Sequence, residues 1–132
     1  GSGAVLDAML CTGFPYDVHE TVYEVVDLFA AFVARARAVR RLGSAALDLC
    51  YVAAGRFDGF WEQRLHPWDL SAASLVVEES GGLVSRFDGT PFDTQCGEIV
   101  ASNGRIHEEM IAVIAGSPPP AAGQGRAPNR TT

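Results

Sequence analysis

An α/β fold, a layered mixed sheet with helices packed on its faces, is predicted by three features of this 132-residue sequence. Short apolar runs suited to buried strands alternate with segments whose apolar residues recur at helical spacing. Glycine, proline and Asp-Gly punctuation falls between those segments. Hydrophobic residues make up 48% of the chain. That is too apolar for a disordered chain, and a domain of this size buries roughly two-thirds of its unfolded surface.

Residues 4–11 are short and apolar, and Thr12-Gly13-Phe14-Pro15 stops them, which suits a buried strand ending in a turn. Across residues 19–39, Val22, Val25, Val26, Phe29, Phe32, Val33 and Ala36 mark one face of an amphipathic helix. Its charges agree with the helix dipole: Asp17, Glu20, Glu24 and Asp27 lie near the start, Arg35 and Arg37 near the end. A short strand is read over residues 39–42. Gly43-Ser44 then opens a second helix over 45–54, closed by Gly55, and because it is apolar nearly all round it is expected to be buried. Residues 57–62 read as a strand. His66-Pro67-Trp68-Asp69 introduces a third helix reaching Ser80, with Gly81-Gly82 as its stop. Residues 83–87 and 98–101 are strands, the first followed by an Asp88-Gly89 turn, and a last helix covers 104–115. Residues 1–116 form one α/β domain on this reading. The Ser117-Pro118-Pro119-Pro120 stretch and the residues after it lack a periodic apolar face, so 117–132 is expected to be a disordered tail.

Charge excludes several functions. All ten basic residues are arginines, against sixteen acids, for a net charge of −6. A phosphate-loop lysine, a Schiff-base lysine and a lysine general base are therefore absent. Arg126 and Arg130 sit in the acid-free tail, so residues 1–116 carry 8 − 16 = −8, which argues against nucleic-acid or anionic-membrane binding. No apolar run is long enough to cross a bilayer and the first ten residues lack the basic start of a secretion signal, so a cytoplasmic protein is expected. Cys11, Cys50 and Cys96 are odd in number and form no CxxC pair. They are read as buried thiols, not as a disulfide framework or a metal site.

Two places combine a helix start with polar groups. At Gly43-Ser44-Ala45 the glycine permits close backbone approach and the helix-start N–H groups can bind an anion or a hydroxyl oxygen; a plain capped helix is the commoner meaning of such a sequence. Glu62 ends a strand seven residues before Asp69 at a helix start, so both carboxylates can reach one pocket, where Asp69 offers a hard oxygen ligand for Mg²⁺. The bland alternative is a solvated glutamate and an aspartate cap. His66, without a nearby His or Cys partner, reads as structural, and His19 and His107 carry still less signal. Asp88-Gly89-Thr90 is better explained as a hairpin corner than as a phosphate-binding turn.

Taken together, the run from Arg41-Leu42-Gly43-Ser44-Ala45-Ala46 to Phe60-Trp61-Glu62, then His66-Pro67-Trp68-Asp69-Leu70, then Glu79-Ser80-Gly81-Gly82, closely resembles the carboxy-terminal half of inositol monophosphatases, especially bacterial ones. The likeness extends from Ala4 to the last helix near Ile114. It implies the C-terminal part of the αβαβα sugar-phosphatase fold. It further implies that Asp69 ligates a catalytic Mg²⁺, that Glu62 hydrogen-bonds a substrate hydroxyl, and that Gly43, Ser44 and Ala45 line the substrate site. Ser71 and Ala73 stand where the family signature usually has Ala and Gly, and both stay small.

Family members are longer. Their other half holds a metal-binding Glu and an Asp-Pro-x-Asp-Gly-Thr motif, for which Asp88-Gly89-Thr90 is no substitute, since it lacks Asp-Pro and follows the Trp-Asp element. The implied activity is Mg²⁺-dependent hydrolysis of a small phosphomonoester, inositol monophosphate foremost, by a metal-activated water in the complete enzyme. This chain carries no catalytic residue beyond the metal ligand and is expected to be inactive alone. Its expected partners are the small-molecule phosphate, the missing N-terminal half and a second copy in a homodimer. The rival readings are a related phosphatase for histidinol phosphate, fructose bisphosphate or a nucleotide phosphate, and a non-catalytic truncated or assembly module.

Overall fold

The chain opens with a 3-10 turn over Val5–Asp7 and enters the sheet only at β1, Met9–Thr12. The single strand expected over 4–11 is therefore half turn: Asp7 N–H and Ala8 N–H close back onto Ala4 O and Val5 O before the neighbouring strand comes within reach. The computed structural model describes residues 3–13, 22–63, 71–93, 95 and 97–116. The tail expected over 117–132 lies outside them.

After β1 come α1 (Val22–Val33), β2 (Ala38–Arg41), α2 (Ala45–Ala53), β3 (Gly59–Gln63), α3 (Ser71–Glu79), β4 (Leu83–Ser85), β5 (Glu98–Ser102) and α4 (His107–Ile114). The strands form one mixed sheet in the order β2-β1-β3-β5-β4. β2, β1 and β3 run parallel, in the register Cys11 opposite Arg40 and Phe60, while β5 runs antiparallel to both β3 and β4.

α1 stops earlier than expected. It ends at Val33, leaving Arg35 and Arg37 beyond its last turn, because the chain must turn to bring Ala38 alongside Met9. Arg35 still serves the helix end, its Nη1 donating to Ala31 O at 2.7 Å, the role a cation plays at exposed C-terminal carbonyls.

Alternation along the strands sorts side chains into two cores. Leu10, Trp61 and Val100 point to the side of Phe32 from α1 and of Met110 and Val113 from α4; the Phe32 and Trp61 rings stack at 4.0 Å between centroids. Cys11, Phe60, Ile99 and Ala101 point the other way, to Leu49 and Val52 of α2 and Ala73 and Val77 of α3. Each large side chain so buried contributes about 1.5–3 kcal/mol. Contrary to expectation, α2 is half exposed: Asp48, Leu49 and Val52 face inward, whereas Leu47 is 44% exposed. Its outer side has no second layer over it among the described residues, and Cys50 there is an exposed thiol, not a buried one. Cys11 is buried; Cys96 lies outside the described residues.

One clamp sets the register at the end of the sheet remote from the parallel strands' C-termini. Asp58 accepts from Met9 N–H at 2.8 Å and from Asn103 Nδ2 at 3.3 Å, and its main chain pairs with both residues. β1, β3 and β5 are thereby tied in phase. The Asp88-Gly89 turn forms as expected, with Gly89 at φ +85 and Arg86 N–H bonded to Thr90 O.

His107 is buried between β4 and β5, and its proton positions follow from its partners. The Ser85 hydroxyl donates to Arg86 O at 2.8 Å, so it accepts from His107 Nε2–H at 2.7 Å. Nδ1 is then the acceptor for the Ser102 hydroxyl at 2.8 Å, whose oxygen accepts from Gly104 N–H. Burial lowers the imidazole pKa, opposed by Glu108. A depressed base contributes stability that is complete above its unfolded value and is lost as pH falls through the folded one. His107→Gln is therefore expected to cost about 1–2 kcal/mol near neutrality, and its melting-temperature gap from wild type should narrow toward about pH 5. A gap independent of pH would refute the neutral assignment.

Candidate functional site

The three parallel strands bring their C-terminal ends to one edge. β1 hands the chain to α1 and so to β2 on one side; β3 hands it on toward α3, β4 and β5 on the other. The point where connections diverge, between β1 and β3, is where open α/β sheets bind ligands. A narrow crevice of about 10 Å³, room for about one water, opens there on the α1 side, lined by Thr12, Gly13, Val25, Phe29, Trp61, Glu62 and Gln63.

Glu62, next to last in β3 and opposite Ile99 of β5, is 6% exposed. It is not the solvated strand end of the bland reading. The room for its carboxylate comes from Gly13: a Cβ at that position would overlap Glu62 Oε1. Thr12 secures the adjoining strand ends, its hydroxyl donating to Trp61 O at 2.6 Å. Gly13 escapes sequence reasoning beyond its place in a turn, although a glycine directly after a strand is the signal for close approach of another group.

Gly43, Ser44 and Ala45 link the end of β2 to the start of α2 at the same edge. Gly43 takes φ +91, which a side chain would strain, and Ser44 is the helix cap, its oxygen accepting from Leu47 N–H at 3.2 Å. Ser44 is thus a true cap, and α2 begins at the same edge of the sheet. With β1 between them, the ends of β2 and β3 lie about 10 Å apart, the span of a small sugar phosphate with its contacts.

Asp69 and His66 lie outside the described residues, as does His19. His107 belongs to the β4–β5 network away from this edge. Asp88 holds Thr90 N–H at 3.0 Å and Thr90 Oγ1 at 2.6 Å, bonds that keep its carboxyl below the usual range, so Asp88-Gly89-Thr90 is a self-contained hairpin corner. Burial pushes the Cys11 thiol up strongly, with Asp48 and Glu62 adding to the effect, so it has no thiolate character. Asp48 is a residue that the sequence alone does not single out; it is fully buried, neither of its oxygens is hydrogen-bonded, and burial pushes its pKa up to about 6.

Among the described residues no group of three His, Cys, Asp or Glu side chains could hold a metal ion. Mg²⁺ asks for near-octahedral oxygen, typically one or two carboxylates with waters and phosphate.

The inositol monophosphatase family model matches residues 2–117. The chain is 43% identical over 111 residues to an inositol-1-monophosphatase of Synechocystis, covering 84% of this chain and 39% of that protein. It is 39% identical over 122 residues to the Nus factor SuhB of Pseudomonas aeruginosa, covering 91% of this chain and 45% of that one. The solved inositol monophosphatase of Anabaena superposes with a TM-score of 0.82 at 40% identity, over 92% of this chain and 48% of the other. The chain therefore spans less than half the length of these relatives.

Proposed function

Since this chain belongs to the inositol monophosphatase family, a family of phosphoric monoester hydrolases, we propose that it forms the substrate-recognition side of a Mg²⁺-dependent phosphatase acting on inositol monophosphate. The observation that supports this reading is that the buried Glu62 and the Gly43–Ala45 helix start lie at the same edge of the sheet, on either side of β1. Glu62 accepts a hydrogen bond from a ring hydroxyl, and a ligand without that hydroxyl loses the bond. The first-turn N–H groups of α2 offer donors to oxygens of the same ligand. Asp69 contributes one oxygen ligand to Mg²⁺, and the remaining ligands come from outside this chain. A homodimer in the cytoplasm completes the proposal; no helix among the described residues is long and apolar enough to cross a membrane.

The test is a polypeptide joining this chain to the remainder of the family fold, assayed with Mg²⁺ on inositol 1-phosphate, histidinol phosphate, fructose 1,6-bisphosphate and a nucleoside monophosphate. The highest kcat/KM is expected on inositol 1-phosphate. A preference for another of the four would transfer the reading to a related phosphatase. Hydrolysis of none would favour the non-catalytic module, to which the likeness to a Nus factor lends support.

A further inference from the structure

Asp48 is a charged side chain that the packing alone does not explain. It lies in the first turn of α2, on the face that also buries Leu49 and Val52, and is 0% exposed with neither oxygen hydrogen-bonded. An unpartnered buried carboxylate costs stability, and an apolar residue of similar size would remove that cost. Native proteins keep such groups where function needs them.

Its position points to the need. Asp48 and Glu62 both act on the Cys11 thiol, and Glu62 lies two residues on from Phe60, which shares Cys11's side of the sheet. Asp48 lies three residues past Ala45, in the first turn of α2, on the side of the sheet that also holds Cys11 and Phe60. No metal-holding trio among the described residues includes it, and burial raises its pKa. What it lacks is a hydrogen-bond donor. A hydroxyl-rich ligand, with the waters it carries, is the chemical class that brings donors without adding charge.

We propose that Asp48 is a positioning residue of the polyol subsite: with ligand present it accepts a hydrogen bond from a water beneath the substrate and so holds the first turn of α2 in place against the Glu62 end of β3. This role rests on the proposed phosphatase function. In this role Asp48 acts through that water and not on the reacting phosphate.

The test compares wild type, Asp48→Leu and Asp48→Asn in the complete polypeptide, by melting and by kinetics on inositol 1-phosphate at about pH 5.5 and about pH 8. Asp48→Leu should melt higher than wild type at the higher pH, with the gap shrinking at the lower, where protonation already relieves the native carboxylate. Its KM should rise about tenfold with kcat within about twofold, and Asp48→Asn, which keeps an acceptor oxygen, should recover most of the KM. A lower melting temperature for Asp48→Leu at the higher pH would show that the carboxylate already has a partner and overturn the proposal. So would an unmoved KM, or equal losses in kcat and KM. If Asp48→Leu does not fold, Asp48→Val, which also removes the acceptor, decides on the same melting and KM criteria. A wild type showing neither turnover nor an inositol-phosphate-induced melting shift would instead sink the underlying function, and the positioning role with it.

Discussion

The 132-residue chain by itself, given millimolar Mg²⁺ and inositol 1-phosphate, is expected to release phosphate no faster than buffer does. The number of available metal ligands decides this. Mg²⁺ surrenders hydration water reluctantly and needs carboxylates held in near-ideal geometry. The described residues contain no trio that could hold a metal, and Asp69 adds a single candidate. Metal catalysis depends on a fixed ion that polarises phosphate and lowers the pKa of a bound water, so a site missing most of its carboxylates loses the main source of rate acceleration. Joining the rest of the family fold in one polypeptide should restore turnover. Release of phosphate by the chain alone at an ordinary enzyme rate, on the order of 1–1000 per second, would overturn this expectation.

The fold is legible in the sequence where the physics is local. The helical spacing of Val25, Phe29 and Phe32 marks α1, and the Asp88-Gly89 turn forms where Asp-Gly predicts it. Boundaries fail where a partner strand decides them. Nothing in Val5 to Asp7 announces a 3-10 turn, because the strand begins only where Met9 meets Ala38. The order β2-β1-β3-β5-β4 is equally invisible, since apolar runs do not say which neighbour they pair with. α2 misleads for a related reason: an all-round apolar helix signals burial, yet only one side of it is covered among the described residues.

The site is legible as residue types and opaque as geometry. Glu62 and Ser44 can be picked out as a carboxylate and a cap, but a strand-end glutamate reads as solvated until Gly13 is seen to make room for it. Asp48 is hidden more thoroughly. An aspartate in a first helical turn is an ordinary response to the dipole, and only its burial without a partner sets it apart. The same structural knowledge reverses the reading of one cysteine, because Cys50 looks apolar in sequence and is exposed.

In the complete polypeptide, Asp69→Asn and Glu62→Gln are expected to fail in different ways. The amide at position 69 removes a formal charge from the proposed Mg²⁺ ligand set, so the Mg²⁺ requirement should rise and kcat at low millimolar Mg²⁺ should fall by about a hundredfold or more. Saturating metal should recover part of the loss. The amide at position 62 leaves the metal ligands alone and exchanges a charged acceptor, 6% exposed, for a neutral one. A hydrogen bond to a charged group contributes about 1.5–3 kcal/mol, equivalent to roughly 10–100-fold in kcat/KM, and that loss should fall on substrates with a hydroxyl to donate. Glu62→Gln should thus compress the ranking among sugar phosphates while its Mg²⁺ optimum stays near wild type. Titrating Mg²⁺ against each variant on two substrates separates the roles. An identical metal shift in both, with the substrate ranking intact, would remove the division between ligand and recognition residue. Wild-type kinetics in both would return Asp69 to a helix cap and leave Glu62 a buried structural carboxylate.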